Sequence, residues 1–234
     1  MSNKQRILLK ISGEALKGAE SFGIDPATLA GIARSVGDLL QQQTEIAIVI
    51  GGGNLFRGKS LSAAGTNPVV ADQMGMLATM MNGLALRDAL EQAGMAVQLL
   101  SAVAVSSIME IYRQRTAVTA LQQGKVVVLV GGTGNPFFTT DTAACLRAIE
   151  IGADLVIKAT KVDGVYSADP CMDPLAVRYD RLSYDQVIQQ NLAVMDLTAV
   201  CLIRDHRIPL CVTNVMQAGG LLQAVRGQAG TLIT

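Results

Sequence analysis

A glycine- and threonine-rich loop is the strongest indication of chemistry in this sequence. The segment Gly-Gly-Thr-Gly-Asn-Pro-Phe-Phe-Thr-Thr-Asp occupies residues 131–141, between an apolar run at residues 126–130 and a helix-forming stretch. Glycine lets backbone N–H groups approach a phosphate closely, and the start of a helix adds N–H donors and partial positive charge. Together with the hydroxyls of Thr133, Thr139 and Thr140, this arrangement predicts an anion-binding pocket.

Three further loops carry similar residues after apolar runs. They are Lys-Ile-Ser-Gly-Glu at residues 10–14, Gly-Gly-Gly-Asn-Leu-Phe-Arg-Gly at residues 51–58, and Lys-Ala-Thr-Lys-Val-Asp-Gly-Val-Tyr at residues 158–166. Lys10 interrupts an apolar strand, and because burying an unpaired ammonium group is too costly, its side chain must reach water or an anion. The Ser-Gly turn that follows favours a phosphate over the alternative of a surface lysine at a strand end.

The second of these loops also matches a well-known phosphate-binding pattern. Residues 53–60, Gly-Asn-Leu-Phe-Arg-Gly-Lys-Ser, fit the Walker A motif G-x-x-x-x-G-K-[ST]. A P-loop needs a helix directly after its lysine and a separate aspartate to hold magnesium. Here glycine and proline residues between 65 and 68 interrupt the next segment, and no apolar run ends in such an aspartate. We therefore expect Lys59 and Ser60 to be dispensable, and the useful residues to be Gly52, Gly53 and Arg57.

The elements that position these loops can be predicted from periodicity. Short apolar runs are typical of strands covered on both faces, and they occur at residues 7–11, 46–50, 97–105, 126–130, 155–157 and 210–212. Helical patterns lie between them, and Asp25 and Pro26 predict an N-cap and a first helical turn. This alternation predicts an α/β fold with a mainly parallel sheet sandwiched by helices, and ligands bind beyond the carboxyl ends of such strands. We expect a single domain, residues 1–234, with two lobes that meet near residue 150.

Two local patterns have competing interpretations. In the methionine-rich stretch, apolar residues recur at helical spacing, namely Leu77, Met80, Met81, Leu84 and Ala85. A core face is the favoured interpretation, and a subunit interface is the alternative. Asp163 and Gly164 predict a tight hairpin turn between two short apolar pairs, so Asp163 is interpreted as a turn residue rather than a catalytic acid.

The composition narrows the class of protein. Of 234 residues, 50% are hydrophobic and the formal net charge is zero, so we expect a large core and no broad surface for nucleic acid or anionic membranes. There is no signal-peptide pattern and no run of apolar residues long enough to span a bilayer, which predicts a cytoplasmic protein. The cysteines lack C-x-x-C spacing, so no metal site is predicted, and no role is assigned to Cys145, Cys171, Cys201, Cys211 and His206.

In their order along the chain, these motifs resemble those of the bacterial UMP kinases, a family of the amino acid kinase superfamily. The resemblance covers nearly the whole chain and adds Asp72 before Met-Gly-Met-Leu-Ala-Thr, an Ala-Asp-Pro motif at residues 168–170, and Met-Asp-Leu-Thr at residues 195–198. It implies an amino acid kinase-like fold, transfer of the γ-phosphoryl group of ATP, bound with Mg²⁺, to UMP, and a homohexamer. Residues 1–150 would form the UMP-binding and oligomerisation lobe, and residues 151–234 the ATP-binding lobe.

The resemblance also implies roles for individual residues. The catalytic residues would be Lys10 and Arg57, as charge stabilisers, and Asp141, which would orient Lys10. ATP would contact Lys10, Ser12, Gly13, Gly53, Arg57, Thr160, Tyr166 and Asp169. UMP would contact Gly52, Asp72, Thr133, Gly134, Asn135, Pro136, Phe137, Phe138, Thr139 and Thr140, with Asp72 accepting hydrogen bonds from the ribose. No side chain is assigned to the metal, because phosphates and water supply most ligands of Mg²⁺.

Members of this family are commonly activated by GTP and inhibited by UTP. The loop linked with the GTP response resembles the segment formed by Gly18, Ala19, Glu20, Ser21, Phe22 and Gly23. The effector site of relatives also draws on basic and aromatic side chains. In the corresponding region this sequence has Arg87 but also Glu91, Gln98 and Gln114, which argues against activation by GTP.

Two other functions stay open on the sequence alone. A related kinase could act on a carboxylate such as glutamate, aspartate or carbamate, but residues 131–140 contain no basic side chain to bind one. A nucleotide-binding regulator without turnover would have no need of Lys10, Arg57 and Asp141, all of which are present. UMP phosphorylation is therefore the favoured prediction.

Overall fold

The computed structural model describes residues 4–56, 65–170, 172–173, 175–215, 217 and 219–234 of the chain. Within these residues a nine-stranded sheet has the order β4-β3-β5-β2-β1-β6-β10-β11-β9. Its strands are β1 (Arg6–Ile11), β2 (Glu45–Ile50), β3 (Val97–Ser101), β4 (Glu110–Ile111), β5 (Val126–Val130), β6 (Leu155–Thr160), β9 (Arg181–Leu182), β10 (Leu210–Asn214) and β11 (Thr231–Ile233). Neighbouring strands are parallel except for β10 and β11. The predicted α/β class with a mainly parallel sheet is confirmed.

Helices cover both faces of this sheet. They are α1 (Gly13–Leu16), α2 (Pro26–Gln41), α3 (Pro68–Gln92), α4 (Gln114–Gln122), α5 (Thr140–Ile151), α6 (Tyr184–Gln189), α7 (Leu197–Asp205) and α8 (Gly220–Val225). Along β1, Ile7 and Leu9 pack in the layer of α1, α2, α3 and α8, whereas Leu8 packs in the layer of α4 to α7. Because strand residues are buried on both faces, the strands appear in the sequence as continuous apolar runs.

Helix starts follow the capping chemistry of the sequence. The Asp25 carboxylate accepts hydrogen bonds from the N–H groups of Ala27 and Thr28, and Pro26 occupies the first turn of α2 as predicted. Thr139 caps α5 in the same way, and α5 ends at Gly152 in the left-handed conformation. These two caps fix where the helices begin relative to the sheet.

The core-face interpretation of the methionine-rich stretch is wrong for two of its residues. On α3, Met80 is buried, but the side chains of Leu77 and Met81 are 57% and 52% exposed. The buried face of α3 combines small residues with Met80, Leu86 and Leu90, and a Cβ on Gly83 would lie only 2.3 Å from Val130 Cγ1. Leu77 and Met81 lie outside this closely packed face. Although α3 is the longest helix described, neither it nor any other described helix is long and apolar enough to cross a membrane.

Two other local predictions need correction. Asp163 and Gly164 do not form a two-residue hairpin, because β7 (Val165–Tyr166) pairs with β8 (Arg178–Tyr179). Glycine is needed at position 164 for packing, since a Cβ there would lie 2.6 Å from Thr231 Oγ1. The predicted run at residues 97–105 is also too long for its strand, which ends at Ser101, whose hydroxyl closes a local turn with Val103.

Candidate active site

Two lysines and one aspartate form a charged cluster at the carboxyl end of the sheet. Lys10 on β1 and Lys158 on β6 are register partners on neighbouring strands. The Asp141 carboxylate, at the start of α5, lies between them, with Oδ1 2.8 Å from Lys10 Nζ and Oδ2 2.8 Å from Lys158 Nζ. Lys158 also donates a hydrogen bond to the carbonyl of Val194. The predicted pairing of Asp141 with Lys10 is confirmed.

The electrostatics of the cluster follow from burial and mutual attraction. Burial alone would raise the pKa of the Asp141 carboxyl, but the ammonium groups of Lys10 and Lys158 outweigh burial and hold that pKa below its usual range. The pKa of Lys158 is lowered, chiefly because burial disfavours its charged form. With both lysines protonated, the three side chains carry one excess positive charge, which suits an anionic ligand.

Asp196 fixes the start of α5 and therefore the position of Asp141. Its carboxylate caps α7 by accepting a hydrogen bond from Ala199 N at 3.0 Å. It also accepts hydrogen bonds from the hydroxyls of Thr139, at 2.5 Å, and Thr142, at 2.9 Å. One half-buried carboxylate thus links the first turns of α5 and α7, which fixes the backbone that carries Asp141.

The glycine loops after β1 and β2 pack backbone against backbone. A Cβ on Gly13 would lie 2.6 Å from Gly53 N and 2.7 Å from Gly51 O, so a side chain has no room there. A Cβ on Gly52 would lie 2.9 Å from Gly75 O of α3. Ser12 precedes α1 without a side-chain hydrogen bond to that helix, so its hydroxyl is not used as a cap. Ser12, Gly13 and Gly53, predicted to contact ATP phosphates, are therefore brought together.

A cavity of about 200 Å³ opens beside this junction, between α3 and the loop that precedes α5. It is lined by Gly52, Gly53, Phe56, Ala71, Asp72, Gly75, Met76, Thr79, Gly132, Thr133, Asn135, Phe138, Thr139 and Thr140. Seven residues predicted to contact UMP are in this lining, namely Gly52, Asp72, Thr133, Asn135, Phe138, Thr139 and Thr140. Three others, Gly134, Pro136 and Phe137, belong to the same loop but do not line the cavity. Gly53, predicted for ATP, lines it as well.

Helix α3 holds the loop at residues 131–138 through side-chain hydrogen bonds. Thr79 Oγ1 accepts a hydrogen bond from Gly131 N at 2.8 Å, and Asp72 Oδ2 accepts one from Phe137 N at 2.7 Å. Phe137 has a φ of 71°, which is unusual for a residue other than glycine, and the bond to Asp72 supports this backbone conformation. Asp72 therefore has a structural role that sequence reasoning did not anticipate.

The residues predicted to contact the nucleoside of ATP lie at the ends of β6 and β7. The Thr160 hydroxyl closes a local turn with Val162, and the Tyr166 hydroxyl donates a hydrogen bond of 2.7 Å to Asp163. Asp169 lies in the connection between β7 and β8. These positions are compatible with the predicted roles, which stay predictions.

Four residues named from the sequence, Arg57, Lys59, Ser60 and Cys171, lie outside the described residues. Burial raises the pKa of the Cys145 thiol to about 12 and that of Cys211 to about 11, so neither is a reactive thiolate. His206 caps the end of α7. In the described part of the chain, no group of three or more His, Cys, Asp or Glu side chains could hold a metal.

Sequence reasoning missed two members of the site, Lys158 and Asp196. Lys158 could have been found by the rule applied to Lys10, because it too interrupts an apolar strand before a polar loop. Asp196 appeared only within the Met-Asp-Leu-Thr motif of the resemblance, with no role of its own. An aspartate before a helix is usually an ordinary N-cap, and its bonds to residues more than 50 positions away appear only in the folded chain.

Comparison with known proteins agrees with this geometry. Residues 5–214 match the amino acid kinase family. The chain is 57% identical over 230 residues to the uridylate kinase of Pseudomonas putida. This alignment covers 98% of this chain and 93% of that kinase. The chain is also 57% identical to the uridylate kinase of Marinobacter nauticus, in an alignment that covers 98% of this chain and 95% of that kinase.

Solved structures show the same similarity. The UMP kinase from Bacillus anthracis superimposes with a TM-score of 0.94 at 35% identity, covering 98% of this chain and 96% of its own. The UMP kinase from Ureaplasma parvum gives a TM-score of 0.92 at 33% identity and 99% coverage of both chains. Both the family match and the identities extend over most of the sequence. The chain therefore belongs to the amino acid kinase family, among its uridylate kinases.

Proposed function

We infer that this protein is a UMP kinase, which transfers the γ-phosphoryl group of ATP to UMP and yields UDP and ADP. The observation that carries this function is the position of the cationic cluster of Lys10, Asp141 and Lys158. Asp141 of this cluster directly follows Thr140, which lines the cavity between α3 and the loop at residues 131–138. A phosphate in that cavity would lie next to two ammonium groups and the N-terminus of α5.

The cavity suits a nucleotide better than a carboxylate substrate. Its described lining contains hydroxyl, amide and backbone groups with one carboxylate, and no lysine or arginine. Such a lining favours an acceptor that offers hydroxyl and amide groups of its own. Phe138 supplies an apolar surface within the same lining, which fits a flat base. UMP meets each of these requirements.

Phosphoryl transfer mainly requires aligned reactants and positive charge around the transferred group. Phosphoryl transfer passes through a loose transition state with charge spread over the equatorial oxygens, so catalysis rests on positioning and electrostatic stabilisation. Lys10 and Lys158 would stabilise that charge. Asp141 would fix the positions of the two ammonium groups, because each of its oxygens already pairs with one of them. Asp141 is then a positioning residue rather than a general base.

Asp72 would recognise the ribose of UMP. One of its oxygens already accepts the N–H of Phe137, and a carboxylate can accept further hydrogen bonds through its remaining lone pairs. The side chain lines the cavity and is therefore within reach of a bound nucleotide. Loop conformation and ribose recognition would thus depend on the same carboxylate.

ATP would bring Mg²⁺ to the site. Both oxygens of Asp141 pair with lysines, which fits a metal held largely by phosphate oxygens and water. When bound, the ion neutralises charge on the phosphates. Ser12, Gly13 and Gly53 would contact the ATP phosphates, and Thr160, Tyr166 and Asp169 the nucleoside end. Arg57 keeps its predicted role as a charge stabiliser.

The larger organisation is also a proposal. A homohexamer is supported by the exposed apolar side chains Leu77 and Met81 on α3, which fit the interface alternative for this helix face. The proposed lobes are residues 1–150 for UMP binding and oligomerisation and residues 151–234 for ATP binding. Inhibition by UTP and a cytoplasmic location stay predictions. Residues 18–23 stay the candidate GTP segment, although the sequence argues against activation by GTP.

A coupled assay of ADP release tests the function. The purified chain would be given MgATP with UMP, CMP, glutamate or no acceptor. We expect UMP to give turnover at least about a hundredfold faster than glutamate or no acceptor, because hydrogen-bonded recognition discriminates strongly. Fastest turnover with glutamate, or ADP release that does not depend on any acceptor, would overturn the assignment.

A further inference from the structure

Two asparagines, one in the glycine loop after β2 and one on α3, have the most deeply buried amide side chains in the described chain. Asn54 belongs to this loop and is 2% exposed, and Asn82 belongs to α3 and is 0% exposed. A buried primary amide is costly unless its donors and acceptor are paired. Apolar residues would fill such positions more cheaply, so the presence of two amides needs an explanation in their hydrogen bonds.

Together the two amides make four hydrogen bonds. Asn82 Nδ2 donates to Gly51 O and to Asn54 Oδ1, both at 2.7 Å. Asn54 Nδ2 donates to Asn82 Oδ1 at 3.0 Å and to Gly23 O at 2.8 Å. All four amide protons are used, and flipping either amide would place an oxygen against a carbonyl oxygen. The pair therefore has a single satisfied arrangement.

These hydrogen bonds link three segments of the chain. Gly51 and Asn54 belong to the loop after β2, Asn82 belongs to the helix that carries Asp72, and Gly23 ends the segment at residues 18–23. Gly23 N donates in return to Asn54 O at 3.2 Å. A shift of any one segment must therefore strain or break bonds to the other two.

The same bonds orient the backbone that faces the site. Gly51 N donates to Ile11 O and Gly51 O accepts from Asn82, so both of its polar groups point into the protein. Among the described residues, the N–H groups of Gly52 and Gly53 have no acceptor, and both residues line the cavity. Inward pairing at Gly51 leaves the next two N–H groups available to a phosphate.

We propose that Asn54 and Asn82 are a positioning pair for phosphoryl transfer, which sets the orientation of the Gly52 and Gly53 amides and couples it to residues 18–23. The inference rests on the proposed function. It assigns the pair no contact with substrate. Its effect is on alignment, where a displacement of about 1 Å can cost about a hundredfold in rate.

The main test compares two substitutions of Asn82. Asn82→Asp keeps the shape and the acceptor for Asn54 Nδ2 but loses both donors, and Asn82→Leu loses every hydrogen bond. At a pH near 8 we expect both variants to lower kcat by about tenfold to a hundredfold, with a smaller change in the KM for UMP. Thr44→Val, at a buried position at the opposite end of β2, is the matched control and should leave kcat unchanged. All rates are measured below the onset of thermal unfolding.

The pH profile separates positioning from a purely structural role. A carboxyl group at position 82 would be buried with no cation among its partners, so its pKa would be raised, and once protonated it regains one O–H donor. The kcat of Asn82→Asp relative to the parent should therefore rise several-fold as the pH falls from about 9 to about 6. The same ratio for Asn82→Leu should stay constant.

Three outcomes would overturn the proposal. They are a parent-like kcat in both fully folded variants, a kcat ratio for Asn82→Asp that does not change with pH, and equal losses in the Thr44→Val control. Loss of UMP-dependent turnover in the parent itself would instead contradict the proposed function, so the two failures are distinguishable.

If the Asn82 variants do not fold, hydrogen exchange of the unaltered protein provides the test. Coupling through Asn54 predicts that UMP together with a non-hydrolysable ATP analogue slows amide exchange in residues 21–25 as well as in residues 51–56. Slowing confined to residues 51–56 would contradict the proposal.

Discussion

The proposed acceptor side and the proposed ATP-nucleoside side of the site are built in different ways. On the acceptor side, side chains bridge elements far apart in sequence, as Thr79 does with Gly131 and Asp72 does with Phe137. On the nucleoside side, the hydroxyls of Thr160 and Tyr166 bond within two or three residues of themselves. The first arrangement depends on the whole fold, whereas the second depends mainly on local turns.

Exposed apolar side chains lie on both sides, since Phe137 and Phe138 of the acceptor-side loop are 74% and 50% exposed. The connection between β7 and β8 carries Met172 and Leu175, whose side chains are 83% and 85% exposed. Segments with few buried contacts open at low free energy. The difference in hydrogen bonding, rather than in exposure, indicates that the proposed UMP side is preorganised for the chemical step, whereas the proposed nucleoside side is a more adaptable surface. Substitutions on the two sides should therefore change different kinetic constants.

The largest effect is expected at Lys10. Lys10→Ala removes an ammonium group from the transferring phosphoryl group and leaves Asp141 with one cation, so kcat should fall by about two to three orders of magnitude. The measurement is steady-state turnover at saturating UMP and ATP, with circular dichroism to show that the fold is kept. Lys4→Ala, at an exposed position before β1, is the charge-matched control and should be unaffected. Rates for Lys10→Ala within tenfold of the parent would contradict its role.

Lys158→Met should give the next largest loss. Its ammonium group pairs with the other oxygen of Asp141, but it is also anchored to the Val194 carbonyl, so part of its role is structural. We expect kcat to fall by about tenfold to a hundredfold, together with a lower melting temperature. A melting temperature that falls while kcat per folded molecule stays constant would restrict Lys158 to a structural role.

The difference between the two sides also explains how much the sequence could predict. Strand ends and glycine loops were accessible because residue type and local spacing carry them. The pairing of Asp141 with Lys10, which are far apart in the sequence, was predicted only together with the family resemblance. The role of Asn82 could not be predicted. It depends on hydrogen bonds to Gly51 and Asn54, which lie about thirty positions away in the sequence. The prediction of a core face failed at Leu77 and Met81 for a related reason, because periodicity identifies an apolar face but not what covers it.

Discrimination against dUMP tests the acceptor side directly. If Asp72 accepts the ribose hydroxyl, kcat/KM for dUMP should be about tenfold to a hundredfold below that for UMP, because the carboxylate loses its partner. Asp72→Ala should bring the two values together. Its loss of the Phe137 N–H bond should also lower turnover with both nucleotides. Equal kcat/KM for UMP and dUMP in the parent would remove the ribose role and leave Asp72 as a support for the loop.

The smallest effect is expected on the nucleoside side, at Tyr166. Its hydroxyl donates to Asp163, which also pairs with Arg178 at 3.0 Å, so Tyr166→Phe leaves that carboxylate with another partner. The aromatic ring is kept, and a nucleoside that contacts it would lose little. We expect the KM for ATP to rise by no more than about threefold with kcat unchanged, since one half-buried hydrogen bond whose acceptor keeps another partner contributes little. A fall in kcat of tenfold or more would show that the β7 segment takes part in alignment, and the functional division between the two sides of the site would then be wrong.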